Sequence, residues 1–369
     1  MSTGEASGDM LAATLAEAMR RAEPAIAFSG IGSERMAAAG FKLTARTRRW
    51  ASMGPLEALR RIPPILFAGW IQYIGLLRRP PDLLVLVDFG ALNLRLAKAL
   101  RRARYRGPIL YYFPPGAWLD RESQARAVAE TSCALAPFQH QRDFYRSLGL
   151  PVAWFGHPLV SLIDARAPRE PAPPGGGVVA LLPGSRVGEI RRHTSLLFAA
   201  CAELRARRPM LDVVIGVADA DCERLVRREM QRTGFAARVV AGSRAALDQA
   251  DAAFIASGTA VLEAALREVP TVSFYVIARA QIEYVKRVWR RPYFTLPNLL
   301  LEREAVPEFF QDAATPAALA GALEPMLADP SPAIAALREV RTRLGPADAL
   351  ERCAAYALRL ARGGACEAV

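Results

Sequence analysis

The strongest constraint on the fold is a regular alternation between short apolar runs and stretches of helical periodicity, which continues along most of the chain. Such alternation is typical of α/β proteins in which helices connect successive parallel strands. A chain of 369 residues is also long enough for two domains of ordinary size. The sequence therefore predicts an α/β protein built on mostly parallel sheets.

A run rich in proline and glycine, at residues 167–177, divides this pattern in two and is typical of a linker. We predict a Rossmann-like domain over residues 1–166 and a second Rossmann-like domain over 178–345. A last helical segment, residues 346–369, either follows the second domain or packs back on the first. Because doubly wound sheets bind ligands at the carboxyl ends of their strands, the expected site is a cleft between the two domains.

The apolar runs predict the individual strands, and the stretches of helical periodicity predict the helices. Predicted strands are Ile26–Phe28, Leu83–Val87, Ile109–Phe113, Cys133–Ala136, Val152–Phe155, Val178–Leu182, Val213–Val217, Arg238–Val240, Ala252–Ile255 and Thr271–Phe274. Predicted helices lie near residues 9–22, 91–103, 121–130, 139–148, 189–207, 221–232, 244–250, 259–268 and 279–290. From about residue 315 onward the pattern predicts helices only.

The amino terminus departs from this pattern. Residues 4–9, Gly-Glu-Ala-Ser-Gly-Asp, are typical of a turn between a first strand and a helix, yet only three residues precede them. Either the domain lacks its first strand or the start codon is placed too late. We expect the second, because a missing central strand would leave backbone groups unpaired. No signal peptide is predicted, because the terminus lacks a basic segment followed by an apolar one.

Charge and cysteine content narrow the possible partners and the compartment. The net charge of +12 favours anionic partners, and nucleic acid is not expected because no nucleic-acid-binding motif is present. Five scattered cysteines without a CxxC pair predict unpaired thiols in a reducing cytoplasm. The three histidines lack metal-ligand spacing, and no carboxylate cluster is typical of a metal site, so neither a metal nor a cofactor is expected.

Two turns have the composition of phosphate sites. Residues 181–190 and 255–263 each combine a strand end, small residues and the start of a helix. Small residues let backbone N–H groups approach a ligand, and a helix amino terminus favours negative charge. Arg186 adds a guanidinium suited to phosphate oxygens. The alternative is an ordinary pair of strand–helix turns, but two in one domain favour a diphosphate ligand such as a nucleotide sugar.

The chain resembles the lipid-A-disaccharide synthase family, which consists of inverting glycosyltransferases of the GT-B fold. The matching segments occur in family order and cover nearly the whole chain; they are GEASGD at 4–9, GIGSERM at 30–36, SMGPLEAL at 52–59, GHPL at 156–159, LPGSR at 182–186, ASGTAVLE at 256–263 and LPNLL at 296–300. The resemblance implies a UDP-diacylglucosamine donor and an acylated glucosamine 1-phosphate acceptor. It implies synthesis of lipid A, for the bacterial outer membrane, by a cytoplasmic enzyme peripheral to the inner face of the membrane.

The sequence departs from the family at two places in the first domain. The family has a second aspartate where this chain has Ala91, and residues 113–121 are shortened and reworked. Both changes fall on the expected acceptor side. Two alternatives therefore stay open: a related UDP-sugar transferase with a different lipid acceptor, and a non-catalytic binder of lipid or nucleotide sugar.

Asp88 is the predicted catalytic base. It follows the apolar strand Leu83–Val87, so its carboxylate is expected at the carboxyl end of that strand, and the resemblance supports this role. An inverting transfer needs one base to take the proton of the attacking hydroxyl. The alternative is an N-cap of the helix 91–103.

The donor site is expected to use both turns. Its predicted residues are Gly184, Ser185, Arg186, Ser257, Gly258, Thr259, Glu263 and Asn298. Backbone donors at 184–188 and 257–260, with Arg186, are expected to stabilise the leaving UDP without a metal. The resemblance implies that Glu263 binds the ribose and that Asn298 lies near the sugar or diphosphate. The alternatives are a solvated helix carboxylate and a plain turn residue.

Further candidates lie in the first domain. Expected cleft or acceptor residues are Glu5, Ser7, Asp9, Asn93 and His157, with capping the alternative for Asp9 and a structural role the alternative for His157. The apolar stretch 63–77 is flanked by arginines and is too short to span a bilayer. Either it is a core helix, or it docks on an anionic membrane surface and admits acyl chains through Trp70, Ile71 and Tyr73.

Overall fold

The structure, a computed structural model, describes residues 1–4, 6–47, 55–116, 121–167 and 173–366. The chain forms two compact units. Unit 1 comprises Met1–Leu162 and Leu344–Val369, and unit 2 comprises Ile163–Arg343. Each unit is an α/β structure with parallel strands.

Unit 1 alternates helices and strands from its first residues. Its elements are α1 (Ala6–Ala22), β1 (Ser29–Gly32), α2 (Glu34–Ala38), β2 (Lys42–Arg46), α3 (Pro55–Arg78), β3 (Leu84–Val87), α4 (Gly90–Arg102), β4 (Ile109–Tyr112), α5 (Glu122–Thr131), β5 (Cys133–Leu135), α6 (Gln139–Ser147) and α7 (Leu159–Leu162). Strands β3 and β4 are buried along their whole length. They form the centre of the unit 1 core.

Residues 1–3 lie between β1 and β3. Ser2 forms parallel bridges to Ile31 on one side and to Leu86 on the other. The segment therefore joins the pair β1–β2 to the trio β3–β4–β5. It takes the position where the sequence pattern calls for a first strand, and it brings the 4–9 turn beside the end of β3.

Two predicted strands of unit 1 are corrected by the structure. The strand predicted at Ile26–Phe28 is found instead at β1, whose glycines obscure its pattern. A Cβ at Gly30 would lie 1.7 Å from the Met1 carbonyl oxygen, so the close approach of the two segments requires glycine there. The strand predicted at Val152–Phe155 is reduced to one bridge between Ala153 and Leu135.

Unit 2 contains a single six-stranded parallel sheet. Its elements are β6 (Gly176–Leu182), α8 (Val187–Arg207), β7 (Met210–Val217), α9 (Ala220–Thr233), β8 (Arg238–Ala241), α10 (Gly242–Leu247), β9 (Ala252–Ala256), α11 (Thr259–Leu266), β10 (Thr271–Tyr275), α12 (Arg279–Val288), α13 (Leu296–Leu301), β11 (Glu308–Phe310), α14 (Pro316–Ala328) and α15 (Ser331–Leu344). The strand order is β11-β10-β9-β6-β7-β8. The short edge strand β11 has no counterpart in the sequence-based assignment.

The chain returns to unit 1 as helix α16 (Ala349–Ala361), which packs on α1. Leu350 and Ala357 of α16 belong to the same core cluster as Leu15 of α1. An exposed ion pair of 3.3 Å between Arg21 and Glu351 crosses the two helices. The carboxy-terminal segment therefore completes the core of the amino-terminal unit.

The return of the chain also corrects the prediction for the cysteines. Cys133 of β5 and Cys366 form a disulfide, with their Cα atoms 5.4 Å apart, whereas Cys201, Cys222 and Cys353 are free and buried. The two partners are 233 residues apart in sequence. No local pattern indicates such a pair, because only the packing of the carboxy-terminal segment on unit 1 brings the two side chains together.

Candidate functional site

The two phosphate-type turns follow adjacent strands of unit 2. Strands β6 and β9 pair in parallel, with Leu182 opposite Ile255, so their carboxyl ends lie side by side. Chain connections leave this pair toward opposite edges of the sheet. Such a switch point is where doubly wound sheets bind ligands. The turns at 183–186 and 257–258 therefore lie together at the position expected for a nucleotide diphosphate.

The first turn is built around Gly184. Its φ of +117° is one that residues with side chains rarely adopt, and an added Cβ would lie 2.4 Å from Glu189 Oε2. Glu189, in the first turn of α8, accepts hydrogen bonds from the backbone N–H groups of Ser185 at 3.0 Å and Arg186 at 3.2 Å. The glycine is required because the carboxylate lies directly over the turn.

For Ser185 and Arg186, this contact corrects the prediction that backbone donors at 184–188 bind the diphosphate. The N–H groups of Ser185 and Arg186 are bound by Glu189 instead, as in a capping box. What the first turn presents is the Arg186 guanidinium, whose side chain is 40% exposed while that of Glu189 is 7% exposed. Glu189 lies three residues after Arg186, as in a capping box, but an arginine at the first position is not the residue type that marks this motif in a sequence.

The second turn is open. Gly258 is exposed, and an added Cβ there would meet no atom within 4 Å. Ser257 and Thr259 are half-buried at the start of α11. The first backbone N–H groups of a helix have no partner within the helix, so this tip suits an anionic group. Ser257 itself donates its backbone N–H to Phe274 O at 2.9 Å and so belongs to the sheet.

Glu263 lies one helical turn after Thr259 and is half-buried. Its carboxylate accepts a hydrogen bond from the Ser243 hydroxyl, in the first turn of α10. The solvated helix carboxylate is therefore not what the structure shows, because Glu263 is held toward the carboxyl edge of the sheet. Ser243 is a partner that the sequence pattern did not indicate.

The structure corrects the prediction for Asn298. Its side chain is fully buried, and Oδ1 accepts from the backbone N–H groups of Ala305 and Val306 at 2.7 and 2.8 Å. Its amide donates to Val306 O at 2.7 Å and to Glu308 at 2.9 Å. These bonds use the donors and acceptors of the amide, so Asn298 holds the segment before β11 rather than a ligand.

In unit 1, Asp88 lies at the carboxyl end of β3 in a left-handed conformation. Asp88 and Phe89 have φ values of 47° and 44°. Consecutive left-handed residues other than glycine are costly and cluster at functional sites. The N-cap of α4 is Phe89, whose own side chain makes no capping hydrogen bond, so Asp88 lies one residue before the N-cap position. Asp88 is half-buried at the end of β3 and stays the predicted base.

The surroundings of Asp88 hold its backbone. Tyr111 donates its hydroxyl to Asp88 O at 3.0 Å, and Asp88 donates its N–H to Tyr112 O at 3.0 Å. Burial above all, and then the negative charge of Asp88, raise the pKa of Tyr111 far above its usual range. Tyr111 therefore remains a hydrogen-bond donor at any physiological pH.

Three predicted cleft residues have structural roles instead. Asp9 is buried and accepts from the backbone N–H groups of Ser33 and Arg35, so it caps α2. Asn93 is fully buried and binds backbone atoms at the end of β3. His157 packs against Phe113 and Phe138, and its Nδ1 accepts from the Leu159 N–H at 3.2 Å. Each one fixes a turn.

The two remaining candidates lie in the 4–9 turn. Ser7 is half-buried in the first turn of α1, where it stays a predicted acceptor residue. Glu5 lies outside the residues that the structure describes. The turn itself is close to Phe89, because a Cβ at Gly4 would lie 2.4 Å from that ring. The start of α1 and the end of β3 therefore form one edge of unit 1.

The apolar stretch of unit 1 lies within α3 and is not a core helix. Its exposed residues recur at helical spacing, which places Leu66, Phe67, Trp70 and Ile71 on one face with exposed fractions of 39–61%. The opposite face packs inward through Ala68 and Leu76. Tyr73 is half-buried against the core, so it does not share the exposed face with Trp70 and Ile71. We call Leu66, Phe67, Trp70 and Ile71 the apolar face of α3.

Within the described ranges, no helix combines the length and the apolar character that crossing a membrane requires. Among those same residues, no three His, Cys, Asp or Glu side chains lie close enough together to hold a metal ion.

Comparison with solved structures identifies the fold. A UDP-GlcNAc 2-epimerase from Neisseria meningitidis bound to UDP-GlcNAc matches with a TM-score of 0.64 and 12% identity, over 97% of this chain and 98% of that one. The spinosyn rhamnosyltransferase SpnG, in complex with thymidine diphosphate, matches with a TM-score of 0.53 and 15% identity over 97% and 98%. The predicted GT-B fold class is confirmed.

Sequence comparison identifies the family. The model of the lipid-A-disaccharide synthetase family matches residues 1–347. The lipid-A-disaccharide synthase of Pseudomonas aeruginosa strain UCBPP-PA14 is 37% identical over 337 residues, which is 89% of each chain. That of Azotobacter vinelandii is 36% identical over 88% of each chain. The chain belongs to the lipid-A-disaccharide synthase family.

Proposed function

We propose that this glycosyltransferase moves 2,3-diacylglucosamine from its UDP derivative to 2,3-diacylglucosamine 1-phosphate, with inversion, to form lipid A disaccharide 1-phosphate. Family membership over residues 1–347 supports the reaction class. The observation that supports the donor most directly is the pairing of two phosphate-type turns on the adjacent strands β6 and β9. The GT-B fold agrees with a nucleotide-sugar donor.

In the proposed reaction, an acceptor hydroxyl oxygen attacks the anomeric carbon of the donor sugar. The bond from that carbon to the UDP oxygen breaks, and its electron pair stays with the diphosphate. Asp88 takes the proton of the attacking hydroxyl. Tyr111 and Asn93 hold the left-handed backbone at Asp88, so the backbone that carries the base is fixed at the end of β3.

We further propose that the leaving diphosphate is stabilised by protein groups alone. The Arg186 guanidinium and the open amino-terminal tip of α11 supply positive charge and hydrogen-bond donors at the switch point. Glu263, which accepts from the Ser243 hydroxyl, is the proposed acceptor for the ribose hydroxyls. No metal or other cofactor takes part in this proposal.

A third proposal concerns the location of the reaction. The apolar face of α3 would enter the interface of an anionic membrane, and Arg78 and Arg79, exposed at the end of the helix, would meet lipid phosphates. The enzyme would thus act as a peripheral protein on the inner face of the cytoplasmic membrane, where its acylated substrates reside.

The function is tested with the two purified lipids. We expect mass spectrometry to show disaccharide 1-phosphate and stoichiometric UDP after incubation with UDP-2,3-diacylglucosamine and 2,3-diacylglucosamine 1-phosphate. Proton NMR should give a β-linkage. Activity should survive EDTA; a loss that divalent ions restore would contradict the metal-free proposal. Failure to use this acceptor, together with turnover of another acyl sugar, would contradict the proposed acceptor.

A further inference from the structure

The carboxylate of Glu189 is the most heavily bonded side chain near the first turn. Oε2 accepts from the backbone N–H groups of Ser185 and Arg186. Oε1 accepts from Arg186 Nη1 at 2.9 Å and from the Tyr275 hydroxyl at 2.8 Å. Four hydrogen bonds on a nearly buried carboxylate fix it tightly, because charge-assisted bonds are stronger than neutral ones.

These bonds determine how the Arg186 guanidinium is presented. One end of the guanidinium is anchored by Glu189, while the side chain as a whole is 40% exposed. A free arginine must give up considerable rotamer entropy when it binds a ligand. Anchoring by Glu189 removes part of that entropy before the ligand arrives, so the charge is preorganised.

A second connection holds the same turn through His193. His193, two turns into α8, is fully buried. Its Nδ1 lies 2.7 Å from Pro183 O, and its Nε2 accepts from the Val276 N–H at 3.2 Å. Pro183 begins the turn, and Val276 follows Tyr275 at the end of β10. The turn is thus tied to residues 275–276 both through His193 and through Glu189.

We infer that Glu189 is a positioning residue that, together with Tyr275, holds the Arg186 guanidinium in place for the donor diphosphate. The inference rests on the proposed role of Arg186 and deepens it. Glu189 does not contact the ligand and stays on the turn when the ligand binds. Its negative charge does not repel the diphosphate, because that charge is matched by Arg186 and enclosed by four donors.

The charge state of Glu189 agrees with this role. Burial alone would raise the pKa of this carboxyl, but the Arg186 charge and the hydrogen bonds from Tyr275 and Ser185 outweigh burial and hold the pKa below its usual range. Burial, followed by the charge of Glu189, raises the pKa of Tyr275 to about 12. Glu189 therefore stays ionised and Tyr275 stays a donor at neutral pH.

A double-mutant cycle on the full chain tests the inference. UDP affinity is measured by calorimetry for wild type, Glu189→Gln, Arg186→Ala and the double variant. If Glu189 acts through Arg186, Glu189→Gln should weaken UDP binding about tenfold when Arg186 is present and less than about twofold in the Arg186→Ala background. Equal losses in both backgrounds, or no loss in either, would overturn the inference.

The matched control is Glu229→Gln on the neighbouring helix α9. Glu229 also forms an ion pair with an arginine three residues along and accepts from a serine hydroxyl, but that serine is Ser195, in the middle of α8 and beyond the turn. The Glu229→Gln variant should bind UDP with the affinity of the wild type. If Glu189→Gln does not fold, Tyr275→Phe in the same two Arg186 backgrounds replaces it, with an expected loss of about threefold that requires Arg186.

The outcome separates this inference from the proposed function. Wild-type protein that is folded and yet takes up no UDP would contradict the proposed donor itself. Wild-type protein that binds UDP, with additive effects of Glu189→Gln and Arg186→Ala, would leave the donor in place and reject only the positioning role.

Discussion

Asn93 binds the backbone of Asp88. Its amide donates to the carbonyl oxygens of Asp88 at 3.0 Å and Val87 at 3.1 Å, at the turn where the chain leaves β3 in a left-handed conformation. The same amide donates to Ser2 O at 3.1 Å, and Oδ1 accepts from the Ser2 hydroxyl at 2.8 Å. One buried side chain thus fixes both the segment around Ser2, between β1 and β3, and the backbone of Asp88, the proposed base.

Replacing Asn93 should therefore affect both stability and turnover. Asn93→Ala removes an amide that three backbone carbonyl groups share and leaves the Ser2 hydroxyl without its acceptor, so we expect the free energy of unfolding to fall by about 2–3 kcal/mol. The turnover number should fall by at least about tenfold because Asp88 loses its support. Urea unfolding and steady-state kinetics measure the two effects. Ser2→Ala is the control, with a cost of about 1 kcal/mol; an Asn93→Ala protein as stable as this control would contradict the prediction.

Asp88→Asn tests the base directly. The amide has the shape of the carboxylate but cannot take the proton, so we expect kcat to fall by about 10²–10⁴. UDP affinity, measured by calorimetry, should stay within about twofold because the proposed diphosphate groups lie in unit 2. Asp82→Asn, at an exposed site just before β3, should keep wild-type activity. Retention of most turnover in Asp88→Asn would assign the base to another residue.

The apolar face of α3 predicts binding to anionic vesicles. Charged side chains at Trp70 and Ile71 should prevent burial of this face, so the Trp70→Asp/Ile71→Asp variant should no longer sediment with phosphatidylglycerol-containing vesicles. Wild-type binding should weaken as salt rises, because Arg78 and Arg79 contribute by charge. Met210→Asp is the control, since Met210 is 68% exposed in unit 2 but stands outside this face. Unchanged sedimentation of the double variant would reject membrane docking by α3.

His157 predicts a specific acid sensitivity. Burial lowers its pKa from 6.5 to about 3 in the folded protein. Between pH 6.5 and about 3, His157 is therefore protonated in the unfolded chain but not in the folded protein. The free energy of unfolding should fall as the pH drops through this range. The contribution of His157 is about 1.4 kcal/mol per pH unit. Urea unfolding at several pH values should give a shallower slope for His157→Gln than for wild type; equal slopes would contradict the role of this histidine.

The positions of the functional turns were predictable from sequence, because the features that define them are local. The small residues and Arg186 at 183–186, the Ser-Gly-Thr run at 257–259 and the strand before Asp88 each lie within a few consecutive residues. The alternation of apolar runs and helical periods placed these turns at strand ends. Family resemblance added the reaction class, because the ordered motifs span nearly the whole chain.

Tertiary structure decided which of the candidate side chains serve the fold. Three polar residues beside strand or helix ends bind backbone groups of the chain. The partners of Asp9 lie 24–26 residues away and one partner of Asn93 lies 91 residues away, whereas Asn298 binds the segment that follows its own helix. A polar residue near a site has the same local pattern whether its partner is a ligand or the chain. The disulfide between Cys133 and Cys366 was beyond prediction for a similar reason, since it depends on a 233-residue return of the chain.

By itself, then, the sequence determined the α/β class, the positions of the two phosphate-type turns and the position of Asp88 at the end of a strand. Hydrophobic periodicity and turn chemistry act over a few residues, so a local pattern is enough to reveal them. Only the tertiary structure decided that Glu189 binds two backbone donors of the first turn, and that one face of α3 stays exposed. Hydrogen-bond partners and burial depend on contacts between distant segments, and packing of the whole unit selects those contacts.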